Sequence, residues 1–212
     1  MPNWVMNVVS FNCTDERIND IRETVKNNED DYGFDFNKLI PMPESLNVTE
    51  GGRSDRAEEC YKAYIMDNEQ MVKEKYKLSD DAFEELKREG EIYASNREKY
   101  GHRSWYGWAI EKWGTKWNAS EALWAGDNTL SFQTAWNCPK PIFDKLAEIF
   151  PDVVFTVRYA DEDIGYNCGI LEYSNGELYS VDFEPDASYD FALDVWGYDE
   201  EGKKEYLEEI GE

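Results

Sequence analysis

The sequence predicts an α+β fold: an antiparallel sheet of ferredoxin-like topology, with helices on one face and a helical insertion. Three observations predict it. Runs rich in β-branched and aromatic residues recur at period two. Two of these runs lead directly into amphipathic helices, and adjacent hairpins flank them. Regular βαβα alternation of the doubly wound kind is missing. With 212 residues the chain is long enough for a sizeable core. It is read as a single α+β domain over 1–212.

Residues 3–12 form the first predicted strand, with Val5, Val8, Val9 and Phe11 as its half-buried set. Thr14 then caps a helix, with Asp15 and Glu16 favourable in its first turn and Ile18, Ile21 and Val25 at helical spacing. FDFNKLI, residues 34–40, reads as a second strand ended by Pro41 and Pro43. Residues 50–101 form the helical insertion: a helix over 56–77, then Ser79 as the cap of a second. Such a segment is a solvated helical hairpin or, if it works, a lid or partner-binding arm.

Six of the eight tryptophans fall between Trp105 and Trp136. Ser104 caps a short helix there, Gly114 ends it, and EALWA and TLSFQTAW form a hairpin around Gly126 to Asn128. Leu130, Phe132, Thr134 and Trp136 are expected on one face of the second strand. PIFDKLAEIF is a helix opened by Pro141. VVFTVRYA is a strand, and two more flank Asn175-Gly176, the strongest short hairpin signal in the chain. Residues 119–185 thus make the C-terminal ferredoxin-like portion. The acidic tail, 186–212, is helical in parts.

Composition narrows function. Forty-six acidic residues against twenty-two basic ones give a net charge of −24. Direct binding to nucleic-acid phosphate is disfavoured, because that affinity comes from Lys and Arg neutralising phosphates; a partner with a basic surface is favoured. The asymmetry is steep: from Pro151 onward eighteen acidic residues face three basic ones. The four cysteines are scattered, and His102 is the only histidine, so neither a zinc site nor any other cofactor site is indicated. Free thiols, together with the lack of a basic leader or a long apolar run, predict a cytoplasmic setting without a membrane segment.

Four stretches together resemble a known family. They are the opening MPNW with Asn7, FDFNKLIPMPESL, YGWAIEKWGTKWN, and TAWNCPKPIFDKLAEIFPDVVFTVRYADEDIGYNCG. These resemble the YubB-like ferredoxin-fold proteins carried by bacteriophages and conjugative plasmids. The resemblance covers most of the chain outside the insertion and the residues after Glu184. It implies a mobile-element accessory protein with a ferredoxin-like sheet, working inside a bacterial host cell. It implies no established activity.

Two groups of residues are site candidates. Trp113, Lys116, Trp117 and Asn118 could form an aromatic-walled pocket in which Lys116 and Asn118 orient an anionic or planar ligand. Alternatively, the tryptophans fill a seam between helix and sheet. The second group is acidic: Asp161, Glu162, Asp163, Asp182, Glu184, Asp186, Asp190 and Asp194. These could stand in for phosphates in the basic groove of a nucleic-acid-binding protein, or be a solvated face. Neither GxSxG, GxxxxGK[ST] nor GxGxxG is present, so no catalytic constellation is expected. The expected function is non-catalytic: an accessory protein whose acidic face binds a basic host protein, in its sharpest form a nucleic-acid mimic that antagonises a restriction or CRISPR nuclease. The alternatives are a small-ligand protein or enzyme with its site at Trp113–Asn118, and a structural phage or oligomeric component.

Overall fold

The computed structural model describes residues 2–27, 33–126, 128–182 and 188–211. In chain order the elements are β1 (Trp4–Asn12), α1 (Asp15–Val25), α2 (Gly52–Ile65), α3 (Glu69–Tyr76), α4 (Asp80–Tyr100), α5 (Trp105–Lys112), β2 (Ser120–Ala125), β3 (Thr129–Ala135), α6 (Lys140–Ile149), β4 (Val154–Asp161), β5 (Gly169–Ser174), β6 (Glu177–Asp182), α7 (Ser188–Val195) and α8 (Glu200–Ile210). They fall into two compact units. One is Met1–Pro41 with Lys112–Glu212, and the other is Met42–Glu111. The helical segment read as 50–101 is therefore the centre of a wider unit.

The first unit holds the sheet, in strand order β2-β3-β1-β4-β5-β6 with every neighbouring pair antiparallel. The set β1-α1-β2-β3-α6-β4, in sheet order β2-β3-β1-β4, is the ferredoxin-like βαββαβ arrangement. β5 and β6 extend it as a hairpin through Asn175 and Gly176, both at positive φ (54° and 81°), the conformation a two-residue hairpin turn requires.

Period-two alternation explains the two faces. On one, Val5, Val9 and Phe11 of β1 lie beside Leu130, Phe132, Phe155, Val157 and Tyr173, all buried. The amphipathic helices supply their own buried stripes, Ile18, Ile21 and Val25 from α1 and Ile142, Phe143, Leu146 and Ala147 from α6. Aromatic rings build much of this core: Phe155 stacks on Tyr173 at 4.7 Å, and Phe132 meets Phe143 at 6.0 Å. The other face presents Met6, Val8 and Ala160. There α7 and α8 contribute Ala192, Leu193, Val195, Trp196 and Leu207 to the same cluster. The residues read as an acidic tail thus form a second helical layer.

Three local expectations are corrected. FDFNKLI is not a strand: Phe36–Lys38 is a 3-10 helix. The Asp35 side chain accepts from the Asn37 N–H, and Phe34 and Phe36 turn their rings edge-on to Phe132 at 4.9 and 5.9 Å. The strand that completes the first βαβ step is β2, which follows the helical unit in sequence. The helix expected over 56–77 is two helices, broken at Asp67, whose φ is +53°. Trp136 is not on the β3 face with Phe132, because the strand ends at Ala135 and Trp136 turns to φ +75°.

The second unit has its own core of Ala57, Cys60, Ala63, Val72, Phe83, Leu86 and Tyr93. Small residues let α2 and α4 close. A Cβ on Gly90 of α4 would lie 2.0 Å from the Ala57 carbonyl oxygen, so glycine's usual helix penalty is accepted for close approach. Asn96 closes one end of the unit, donating to the Ser45 and Arg103 carbonyls and accepting from the Ser45 hydroxyl. Arg103 meets Glu50, Asp55 and Glu58.

Candidate functional site

The Trp113–Asn118 block is mostly taken up by the fold. Trp113 is buried, its indole N–H donates to the Ile40 carbonyl at 2.9 Å, and its ring meets Phe36 edge-on. Gly114 sits at φ +79°, where a Cβ would be 2.8 Å from Pro141. The buried Thr115 hydroxyl donates to the Ala135 carbonyl. Asn118 is a clamp: its oxygen accepts from the backbone N–H of Phe36 and of Ala119, and its amide donates to Asp35. Both ends of that side chain hold the 35–36 turn against the start of β2. Lys116 and Trp117 sit at the half-buried edge. The Lys116 ammonium lies 4.4 Å from the Trp117 ring and 4.9 Å from that of Trp136, and Trp117 leans on Trp4 at 5.9 Å. The sequence reading named neither Trp4 nor Trp136 here; only the β1–β3 register brings them in.

The acidic residues separate into two kinds. Asp161 is buried and turned inward, accepting from the side chains of Asn3 and Asn167 and from the Asp163 backbone N–H. Its backbone carbonyl takes the Trp196 indole N–H at 2.9 Å, tying α7 to the end of β4. Asp190 and Asp194 converge on Lys203, at 3.2 and 2.5 Å, with Glu200 at 3.1 Å. Lys203 is buried while the three carboxylates stay exposed, so this is a clamp between α7 and α8 closed from the surface. Lys203 holds the Asp194 carboxyl below the usual carboxylate range, and Asp194, then Glu200, raise the Lys203 ammonium above its ordinary value. Arg158 approaches Asp194 to 3.6 Å and lies over Phe191. Glu162 and Asp163 are exposed. Asp182 ends β6. Glu184 and Asp186 lie outside the described residues.

The outer face of α8 went unnamed in the sequence reading. Glu201, Glu205, Glu208 and Glu209 are all exposed and recur at i, i+4, i+7 and i+8, one side of a helix with steps of about 6 Å. Lys204 reaches Glu208 at 3.7 Å. Glu200 and Glu201 suit the helix N-terminus, but the last turn carries carboxylates and no basic residue. Those late charges oppose the helix dipole, so helix stability does not account for them. Their signal was present in EEGKKEYLEEI: Lys203, Tyr206 and Leu207 mark the inward side, and the glutamates fill the rest. Among the described residues, no group of three or more His, Cys, Asp or Glu is placed to hold a metal.

Comparison with known proteins bears on this region. Residues 112–207 match a family model described as the ferredoxin-like domain in Api92-like protein. That segment is ferredoxin-like. The match runs past Glu184, so α7 and most of α8 belong to the matched domain rather than to an appendage. Among solved structures, the chain is similar to the crystal structure of the protein api92 from Yersinia pseudotuberculosis, at 8% identity over 87% of this chain and 98% of that one, with a TM-score of 0.44. No curated protein matches the sequence. Among the described residues, no helix is long and apolar enough to cross a membrane.

Proposed function

We propose that this chain is a non-catalytic binding protein whose acidic outer surface, α8 with the exposed Glu162 and Asp163, docks on a basic surface of a partner protein. One observation carries the reading. Lys203 pairs with the exposed Asp190, Asp194 and Glu200, while Glu201, Glu205, Glu208 and Glu209 face solvent with Lys204 as the one lysine among them. A stripe of like charges kept against the helix dipole serves contact with an opposite charge. Carboxylates at regular helical steps also suit a groove built for phosphates. In its finer form the partner is therefore a nucleic-acid-handling host protein, such as a restriction or CRISPR nuclease. The resemblance to YubB-like proteins of phages and plasmids supports that form. A small-ligand site at Lys116 and Trp117 has the two flanking indoles in its favour, but Asn118 is committed to Asp35 and Phe36.

The test is affinity capture from bacterial lysate at low and high salt. The intact chain is compared with a variant carrying Gln at 201, 205, 208 and 209. The expected result is recovery of nucleic-acid-binding proteins at low salt, released at high salt and reduced on the order of tenfold in the variant. Capture indifferent to both salt and the substitutions overturns the proposal.

A further inference from the structure

The Met42–Glu111 unit carries a surface that the acidic face does not explain. Tyr64, Ile65, Met66 and Met71 are 50%, 64%, 64% and 55% exposed, around the turn between α2 and α3. Scattered exposed apolar residues are ordinary, but several large ones on one turn are a contact surface. Beside them lies a groove of about 310 Å³, walled by Ala63 of α2, by Met66 just past its end and by Met71 and Val72 of α3, with Glu59, Lys62 and Asn68 at its rim. Glu59, Lys62, Ala63 and Met66 recur at i, i+3, i+4 and i+7, so one side of α2 forms the wall. Asp67, at φ +53°, forces the break that separates the two helices.

The charges around the groove choose its occupant. The chain is strongly acidic, but this unit is nearly balanced: it holds sixteen acidic and eleven basic residues, against thirty and eleven in the rest. Glu59, the rim carboxylate, is occupied, accepting from the Lys75 ammonium at 2.6 Å and the Tyr76 hydroxyl at 2.5 Å. Arg56 stands over the Tyr76 ring at 5.5 Å. Arg56 and Lys62 are exposed and make no ion pair among the described residues. The groove therefore offers apolar walls, two adaptable methionine side chains and unneutralised cations.

We propose that this groove binds an amphipathic helix of a partner protein, with apolar residues on one side and acidic residues flanking them. A cleft between two helices accepts a third through anchors at i, i+4 and i+7. Methionines mould to such anchors because the thioether chain is flexible and polarizable. The partner's carboxylates pair with Lys62 and Arg56. This reading is independent of the α8 face and of any basic partner there.

The test uses the full chain with methyl-labelled methionine, whose five residues include Met66 and Met71 as local reporters and Met6 as a distant one. Two synthetic amphipathic helical peptides are titrated, alike in their leucine anchors but carrying Glu or Lys on the polar side. The expected result is saturable movement of the Met66 and Met71 signals with the Glu peptide and a still Met6. The Lys peptide acts on Met66 and Met71 on the order of tenfold more weakly. Lys62→Glu reverses that preference, and Met66→Ser, read at Met71, weakens binding on the order of tenfold while the helical circular dichroism is retained. Still Met66 and Met71 signals with the Glu peptide, equal response to both peptides, or movement only with anionic lipid vesicles overturns the proposal.

Discussion

Lys203 shows how one side chain sets the meaning of several others. It pairs with Asp190, Asp194 and Glu200, which stay at the surface, and so fixes α8 on α7. Lys203→Met leaves those carboxylates facing one another. Amide exchange across Tyr206–Ile210 should then speed up on the order of tenfold with β1 unchanged, as hydrogen-exchange mass spectrometry would read. The pH dependence has a definite sign. The Asp194 carboxyl is held below its ordinary value by Lys203, so its contribution is complete above about pH 4 and is lost as pH falls through the lower folded value. Exchange in α8 should rise on acidification, and Asp194→Asn should blunt that rise. Asn118 teaches the complementary lesson. Asn118→Ala strands the Phe36 N–H and releases Asp35, and urea unfolding should show a loss of about 2 kcal/mol. The sequence marked Asn118 but passed over Lys203, and it could not say which way either faces. A lysine among glutamates and an asparagine beside tryptophans look alike whether they point inward or outward.

Helices and strands were legible wherever periodicity and punctuation agreed. Thr14 before Ile18, Ile21 and Val25, Pro141 before the α6 stripe, and Asn175-Gly176 between alternating runs each place an element correctly. Illegible elements were those whose neighbours decide them. FDFNKLI alternates like a strand, yet Phe34 and Phe36 satisfy their burial as a compact turn on Phe132. The α2–α3 break rests on one residue at positive φ, which Asp tolerates without announcing it. Gly90 of α4 is its close approach to α2. Gly90→Ala should cost about 3 kcal/mol by overpacking, read as earlier thermal loss of helix. On α8, Glu209→Gln should leave thermal stability undiminished, since it removes a charge opposing the helix dipole, while lowering partner capture. Loss of stability together with capture would instead make Glu209 structural.

At the scale of the whole molecule, the charge is unevenly distributed between the two units. Added salt screens the repulsion in the acidic sheet unit, so its melting temperature should rise with sodium chloride; calorimetry would show this. Net charge, a ferredoxin-like antiparallel sheet and a helical insertion were readable from composition and pattern, but the identity of the sheet's second strand was not. The covered second face of the sheet was not, because tail helices rich in carboxylates read as solvated. β1, central in the sheet, pairs with β3 and β4, which leave the ribosome well after it. At ordinary elongation rates β1 waits on the order of ten seconds for those neighbours. Its greasy underside, Met6 and Val8, waits longer still for α7 and α8. During synthesis the nascent chain thus exposes the one strand it cannot complete alone. The early-made helical unit, with a core of its own, is free to fold in that interval.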